Sequence, residues 1–180
     1  QKCGYENDGP AVLRIPNVQH GVLELQDLKF APTEFNLADS ETVCSGDMLI
    51  IRTNGSKSLI GRAAVVMSEP IRGMSFASYL IRFRLVSTAG VPAWTSLVWQ
   101  TGQMREWIEA HAATSAGQHN VSMSVLAKAA IPVPPAAEQT RIVTEVDRHL
   151  SVLREVEAEV DADLQREPAL RQATDRPSVV

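Results

Sequence analysis

The sequence has 180 residues, a hydrophobic fraction of 44%, 5% aromatics and a formal net charge of −4. That length suits one domain plus an appendage, with enough apolar material for a real core. No run of about 18 apolar residues occurs, which argues against a membrane-spanning helix, and the opening QKCGYENDGP lacks the basic-then-apolar pattern of a signal peptide. The chain starts without Met in what reads as mid-domain, as expected of a piece of a longer protein. Its two cysteines, Cys3 and Cys44, make neither a disulfide scaffold nor a Cys-rich metal site, and are expected to be reduced in a cytoplasmic protein.

Taken in chain order, the first hundred residues read as short strands and loops. AVLRIPNV and GVLELQDLKF are β-like runs punctuated by Pro16, Gly21 and Asp27, and DMLIIRT, IGRAAVVM and ASYLIRFRLV follow. The pairs Gly46-Asp47 and Asn54-Gly55 read as turns, because Gly and Asn tolerate positive φ. Between two apolar runs lies the loop RTNGSKS, which is small, polar and basic.

The period then changes. Trp94, Leu97, Val98, Thr101, Met104 and Ile108 recur at helical spacing, which predicts one helix over residues 93–113 with Gly102 inside it. Core packing is the better reading for Trp94, Trp99 and Trp107 than base stacking. ATSAGQHN reads as a polar loop. IPVPP is a stiff, extended lead-in, Pro135 suits the first helical position, and Glu138 suits the first turn. Val143, Val146, Leu150 and Leu153 sit at 3-4-3 spacing, and Val156, Val160 and Leu164 continue at 3-4-4, like a coiled coil with a stutter. Residues 137–165 predict a helix of roughly 43 Å whose apolar stripe needs a partner helix. The end of the chain, PALRQATDRPSVV, reads as a loose tail. The fold class is α+β: a mixed β-rich domain followed by a long coiled-coil-forming helix, divided as 1–133, 134–167 and 168–180.

The charge is unevenly placed. Residues 137–180 hold six Arg against ten Asp and Glu, whereas residues 1–136 are neutral. Within residues 50–105, Arg52, Lys57, Arg62, Arg72, Arg82, Arg84 and Arg105 face one acid, Glu69. A surplus of that kind fits a phosphate-facing footprint; ordinary solvated strand edges, with Arg62 and Arg82 paired to acids, fit it equally well. Catalytic motifs are missing. NGSKS has neither the spacing nor the Gly-Lys pair of a phosphate loop, and no nucleophile elbow or HExxH occurs. The four histidines are scattered, so no metal site is expected. DLK at residues 27–29 reads as a surface ion pair. The chain reads as a binding and assembly module, not an enzyme.

In this order, VLRIPNVQHGVLELQDLKF, GDMLIIRTNGSKSLIGRAAVV, FASYLIRFR and IPVPPAAEQTRIV resemble one half of the specificity subunit of type I restriction–modification enzymes, over about residues 10–155. The resemblance implies a target recognition domain that reads half of a split double-stranded DNA site, and a spacer helix. In that family two such domains are joined by long helices that hold the halves apart and dock adenine methyltransferase (modification) subunits. Those partners bring S-adenosylmethionine, and a restriction/translocase subunit with ATP and Mg adds cutting; this chain would hold no cofactor. The implied DNA-contacting residues are Arg52, Thr53, Asn54, Ser56, Lys57, Ser58, Arg72, Arg105, His119 and Asn120, with Asn54 equally readable as a turn builder. The implied helix interface is Val143, Val146, Leu150, Leu153, Val160 and Leu164, which a homodimer could fill. The alternative, from a different class, is an assembly half-subunit with a degenerate recognition domain that works through its helix.

Overall fold

A computed structural model describes residues 3–4, 8–19, 21–68, 73–85 and 92–174. The fold is α+β. Its elements in chain order are β1 (Ala11–Leu13), β2 (Val18–Gln19), β3 (Val22–Leu23), β4 (Lys29–Phe30), β5 (Asp47–Ile51), β6 (Thr53–Asn54), β7 (Ala63–Val65), β8 (Met74–Phe76), β9 (Leu80–Arg84), α1 (Pro92–Trp99), α2 (Gly102–His111), β10 (Ala113–Ser115), β11 (Gln118–Asn120), α3 (Met123–Leu126) and α4 (Ala136–Thr174).

The apolar run MLII, led by Asp47, becomes the strand at the centre of the core. All five residues of β5 are buried, and β7 and β9 flank it antiparallel, with Ile50 opposite Ala63 and Ile81. A second sheet joins β1 to β4 antiparallel and to β8 parallel, and β2 and β3 pair as a ribbon that packs on β7 and β5. Asn17, 1% exposed, ties down the excursion between β1 and β4. Its Nδ2 donates to Glu24 O and Asp27 O, while its Oδ1 accepts from Arg14 N. Asp27 pairs with Arg14 at 2.8 Å, so the acid of the DLK stretch serves as a structural ion pair.

Several sequence expectations change. The single helix over 93–113 is two helices: Thr101 is extended at ψ 149°, and its hydroxyl accepts from Met104 N as the N-cap of α2. Capping satisfies an otherwise orphaned N–H, so a Thr followed by Gly ended one helix and began the next despite the unbroken apolar spacing. Trp94, Thr95, Ser96 and Trp99 are the buried residues of α1, Met104 and Ile108 those of α2, and Thr101 is exposed. The stretch read as a polar loop is a β-hairpin, β10–β11, turned at Ala116 (φ 48°) and Gly117 (φ 76°). Two successive positive φ values match the twist that two-residue hairpins favour. The long helix runs 39 residues to Thr174, roughly 58 Å, through much of the segment read as a tail. Ala, Leu, Arg and Gln in that segment are good helix formers, although Pro168 at its start is a poor one. Residues 175–180 of the expected tail lie outside the described residues.

Two compact units result, Gln1–Gln139 and Thr140–Val180, so the first turn of α4 belongs to the first unit. Pro135 caps that turn rather than occupying its first position: its carbonyl accepts from Glu138 N and Gln139 N. Gln139, 2% exposed, reaches back to donate to Pro134 O at 2.7 Å. Further back, Trp94 Nε1 donates to Pro132 O at 2.8 Å, fixing the PVPP lead-in. In the second unit the seam lies open. Leu150, Leu153, Val156, Val160 and Leu164 are 40–61% exposed, and Val143 and Val146 are half-buried. No helix among the described residues is long and apolar enough to cross a membrane.

Candidate nucleic-acid interface

The hairpin builds a surface that the sequence does not disclose. β11 pairs antiparallel with β6, with His119 opposite Asn54 and Asn120 opposite Thr53, and β10 completes a three-stranded sheet. Cross-strand partners share a face. Asn54, His119 and Thr114 therefore lie on one face and Thr53 and Asn120 on the other. His119 Nδ1 and Thr114 Oγ1 are 2.9 Å apart. Thr114 was not singled out in the sequence, because nothing there marks residues 113–115 as a strand. Asn120 Oδ1 is shielded from solvent without a hydrogen-bond partner among the described residues.

Asn54 has the turn role. Its Oδ1 accepts from Ser56 N at 2.8 Å, the self-bonding typical of Asx turns. Ser56 and Ser58 follow, hydroxyl to hydroxyl at 2.9 Å, both exposed. The loop then descends to Gly61, where φ is +74° and Trp99 Nε1 donates to the carbonyl at 2.8 Å. A Cβ on Gly61 would lie 2.4 Å from Ile108 Cγ2 and 2.9 Å from its Cδ1. Ile108 is 1% exposed and cannot withdraw. Gly61→Ala is expected to cost about 2–5 kcal/mol, from left-handed strain plus overpacking. Urea unfolding measures it, and a shift below about 1 kcal/mol would show that the loop base is not seated on α2.

Four of the seven basic residues are engaged by two acids beyond the stretch where the surplus was counted. Asp47, fully buried, stands opposite Arg84 across the β5–β9 ladder. It accepts from Arg84 Nε at 2.8 Å and from Cys44 N at 2.8 Å, with Arg82 at 3.9 Å. The Asp47 carboxylate hydrogen-bonded to Arg84 raises the guanidinium's pKa above its ordinary value. Arg82 also donates to Thr42 O and Ser40 O. Glu109 takes Arg105 at 2.6 Å and Lys57 at 3.6 Å, and the Arg105 hydrogen bond holds its carboxyl below the ordinary carboxylate value. Arg62 donates to Ser58 O. For the Arg52 side chain no partner is found among the described residues, and Arg72 lies outside them. A cleft of about 430 Å³ opens beneath the loop, with Ser58, Arg62, Gln100, Arg105 and Glu109 in its wall. Cys3 and Cys44 are free thiols, and no group of three metal-ligating side chains occurs among the described residues.

No protein-family model matches the chain. Over 165 residues, 92% of the chain, it is 25% identical to the type I restriction enzyme EcoKI specificity subunit of Escherichia coli, and it spans 35% of that subunit. Over 128 residues, 71% of the chain, it is 30% identical to the StySPI specificity subunit of Salmonella potsdam, spanning 27% of it. The chain is a homologue of type I restriction enzyme specificity subunits. Its fold matches the HsdS subunit from Thermoanaerobacter tengcongensis with a TM-score of 0.68 over 97% of this chain and 45% of that one, at 18% identity. Within this specificity-subunit fold most of the residues singled out in the sequence fall into two places, while Arg52 lies between β5 and β6, Arg105 lies on α2 and Arg72 is outside the described residues. Thr53, Asn54, Ser56, Lys57, Ser58, His119 and Asn120 come together on β6, β11 and the loop between β6 and β7. Val143, Val146, Leu150, Leu153, Val160 and Leu164 lie along α4.

Proposed function

We propose that this chain reads one half of a split double-stranded DNA site for a type I restriction–modification complex. It brings adenine methyltransferase subunits, and through them a restriction/translocase subunit, to that site in the cytoplasm. It performs no chemistry: S-adenosylmethionine, ATP and Mg belong to the partners. The similarity to two specificity subunits supports the reading. The observation that carries it is the β6–β11 pairing, which brings Asn54 and His119 to one face of a small sheet beside the short polar side chains of the loop that follows β6, with Thr53 and Asn120 on the other face. Asn addresses adenine, and hydroxyls address either base of a pair, in the major groove. Cations position the backbone without carrying sequence information. The α4 seam would hold a second recognition unit, from another copy or from a longer subunit.

Selection from a randomised duplex pool, with methyltransferase subunits present, tests the proposal. An enriched half-site is expected. Ser56→Ala should relax one base preference by about 1–3 kcal/mol with melting unchanged. Arg52→Gln and Lys57→Ala should weaken binding to all duplexes alike, each lowering the slope of log affinity against log salt by about one unit. The cations held by Asp47 and Glu109 favour a second reading, an assembly half-subunit with a degenerate recognition domain. That reading wins if the chain assembles with methyltransferase and no sequence is enriched.

A further inference from the structure

Arg105 is a cation beside a basic loop, yet its donors point into its own fold. Nε donates to Glu109 Oε1 at 2.6 Å, Nη2 donates to Lys57 O at 2.6 Å, and Nη1 donates to Ile60 O. The two carbonyls bracket residues 57–60, far from Arg105 in sequence. A guanidinium is a rigid planar fork, so one side chain can fix the distance between two acceptors; an ammonium on a flexible stem cannot. Glu109 orients the fork through Nε.

We infer that Arg105 is a positioning residue for DNA recognition: it sets the backbone of residues 57–60 so that Ser56, Lys57 and Ser58 present outward, and it does not itself touch phosphate. The inference rests on the reading of this loop as a DNA-contacting edge. The rest of the loop is braced in the same manner. Asn54 Oδ1 holds Ser56 N, Arg62 Nε holds Ser58 O, and Trp99 Nε1 holds Gly61 O. Ser56 and Ser58 have short side chains, so their reach is set by backbone placement. A displacement of about 1 Å takes a hydroxyl out of hydrogen-bond range. A loop already in its bound shape also avoids the ordering cost of binding.

The test uses the full chain as Arg105→Gln, Arg105→Lys and Glu109→Gln. In the free protein, amide exchange is read at Leu59, Gly61 and Arg62, whose N–H groups donate to Ser56 O, Ile51 O and Leu59 O. Loss of the fork should speed exchange there by roughly tenfold in both Arg105 variants, and less in Glu109→Gln. With a randomised duplex library, both Arg105 variants should lose roughly tenfold in preference for the enriched half-site while the salt slope stays that of the parent. Failure of Lys to rescue is the signature of geometry rather than charge. If Arg105→Gln lowers the slope by about one unit and Arg105→Lys restores it, Arg105 is a phosphate contact and the inference is overturned. Unchanged exchange at all three amides overturns it whatever the DNA arm shows. If the parent enriches no sequence, the recognition reading fails, and the exchange arm still reports whether the clamp exists. Should Arg105→Gln fail to fold, Arg105→Lys and Glu109→Gln carry the same comparisons.

Discussion

Asp47→Ala is expected to destabilise the chain by about 3 kcal/mol. Asp47 is fully buried at the start of the central strand and accepts from Arg84 Nε, Arg84 Nη2 and Cys44 N. Removing one member of a buried ion pair typically costs about 3–5 kcal/mol. The lower end applies because the Arg84 side chain is 50% exposed and regains water when its partner leaves. What remains is the loss of charge-assisted hydrogen bonds and a Cys44 N–H without its acceptor. Asp47→Asn keeps an acceptor for Cys44 and should cost less than Asp47→Ala. The urea midpoint of both variants measures this, and pairing Asp47→Ala with Arg84→Ala isolates the coupling. A midpoint unchanged in Asp47→Ala would return Arg84 to the pool of cations available to a polyanion. With the loss of stability, Asp47→Ala should strengthen binding to random duplex DNA, because it releases positive charge. The two measured quantities move in opposite senses, which separates this acid from a base-reading residue.

The Asp47–Arg84 pair also shows where reading the sequence stops. The surplus of basic residues was visible, but its neutralisation depends on register. Asp47 and Arg84 meet only because β5 and β9 align them as ladder partners. Arg105 and Glu109 are four apart on one helix, a spacing that sequence alone can flag; the charge count that ended at Arg105 missed it. The apolar stretches were legible because burial imposes them. MLII, AAV and the alternating LIRFR became the central sheet, and the 3-4 seam became a helix. The hairpin 113–120 was not legible, since its strands are largely exposed and carry no alternating pattern to betray them. Two of the seven gathered residues, His119 and Asn120, depend on that hairpin. Its β11 strand brings His119 and Asn120 to Thr53 and Asn54 from more than sixty positions away in the chain. Thr101 illustrates a third limit. Helical spacing persisted across the break, and a single capping hydroxyl decided where one helix stopped and the next began.

In isolation the chain should sediment as a dimer at micromolar concentration, and Leu150→Glu should convert it to monomer. The seam of α4 leaves Leu150, Leu153, Val156, Val160 and Leu164 at 40–61% exposure. Burying such a side chain fully is worth about 1.5–3 kcal/mol, and a long helix is itself stabilised mainly by packing of its apolar face. A second copy offers an identical stripe, which a two-fold axis makes self-complementary. Charge selects the direction. Glu155, Glu157, Glu159, Asp161 and Asp163 form an acidic run, whereas Arg141 and Arg148 lie nearer the start of the helix. A parallel pair sets acidic run against acidic run; an antiparallel pair centred near residue 152 sets it against the partner's Arg141 and Arg148. Existing contacts such as Arg148 to Glu145 at 2.7 Å are exposed on both sides and worth little, so they do not oppose the exchange. Leu150→Glu places two carboxylates in one apolar seam, each carrying several kcal/mol of desolvation. The dimer constant should therefore weaken by on the order of a thousandfold, while a Leu150→Met control stays dimeric. Because Leu150 is already 40% exposed, the substitution removes little packing within its own chain. A two-fold pair of chains that each read a half-site, as proposed, should enrich that half-site as an inverted repeat with a gap. Sedimentation of the parent as a stable monomer, with Leu150→Glu changing neither mass nor melting, would reject self-pairing and leave the seam to a helix of another subunit.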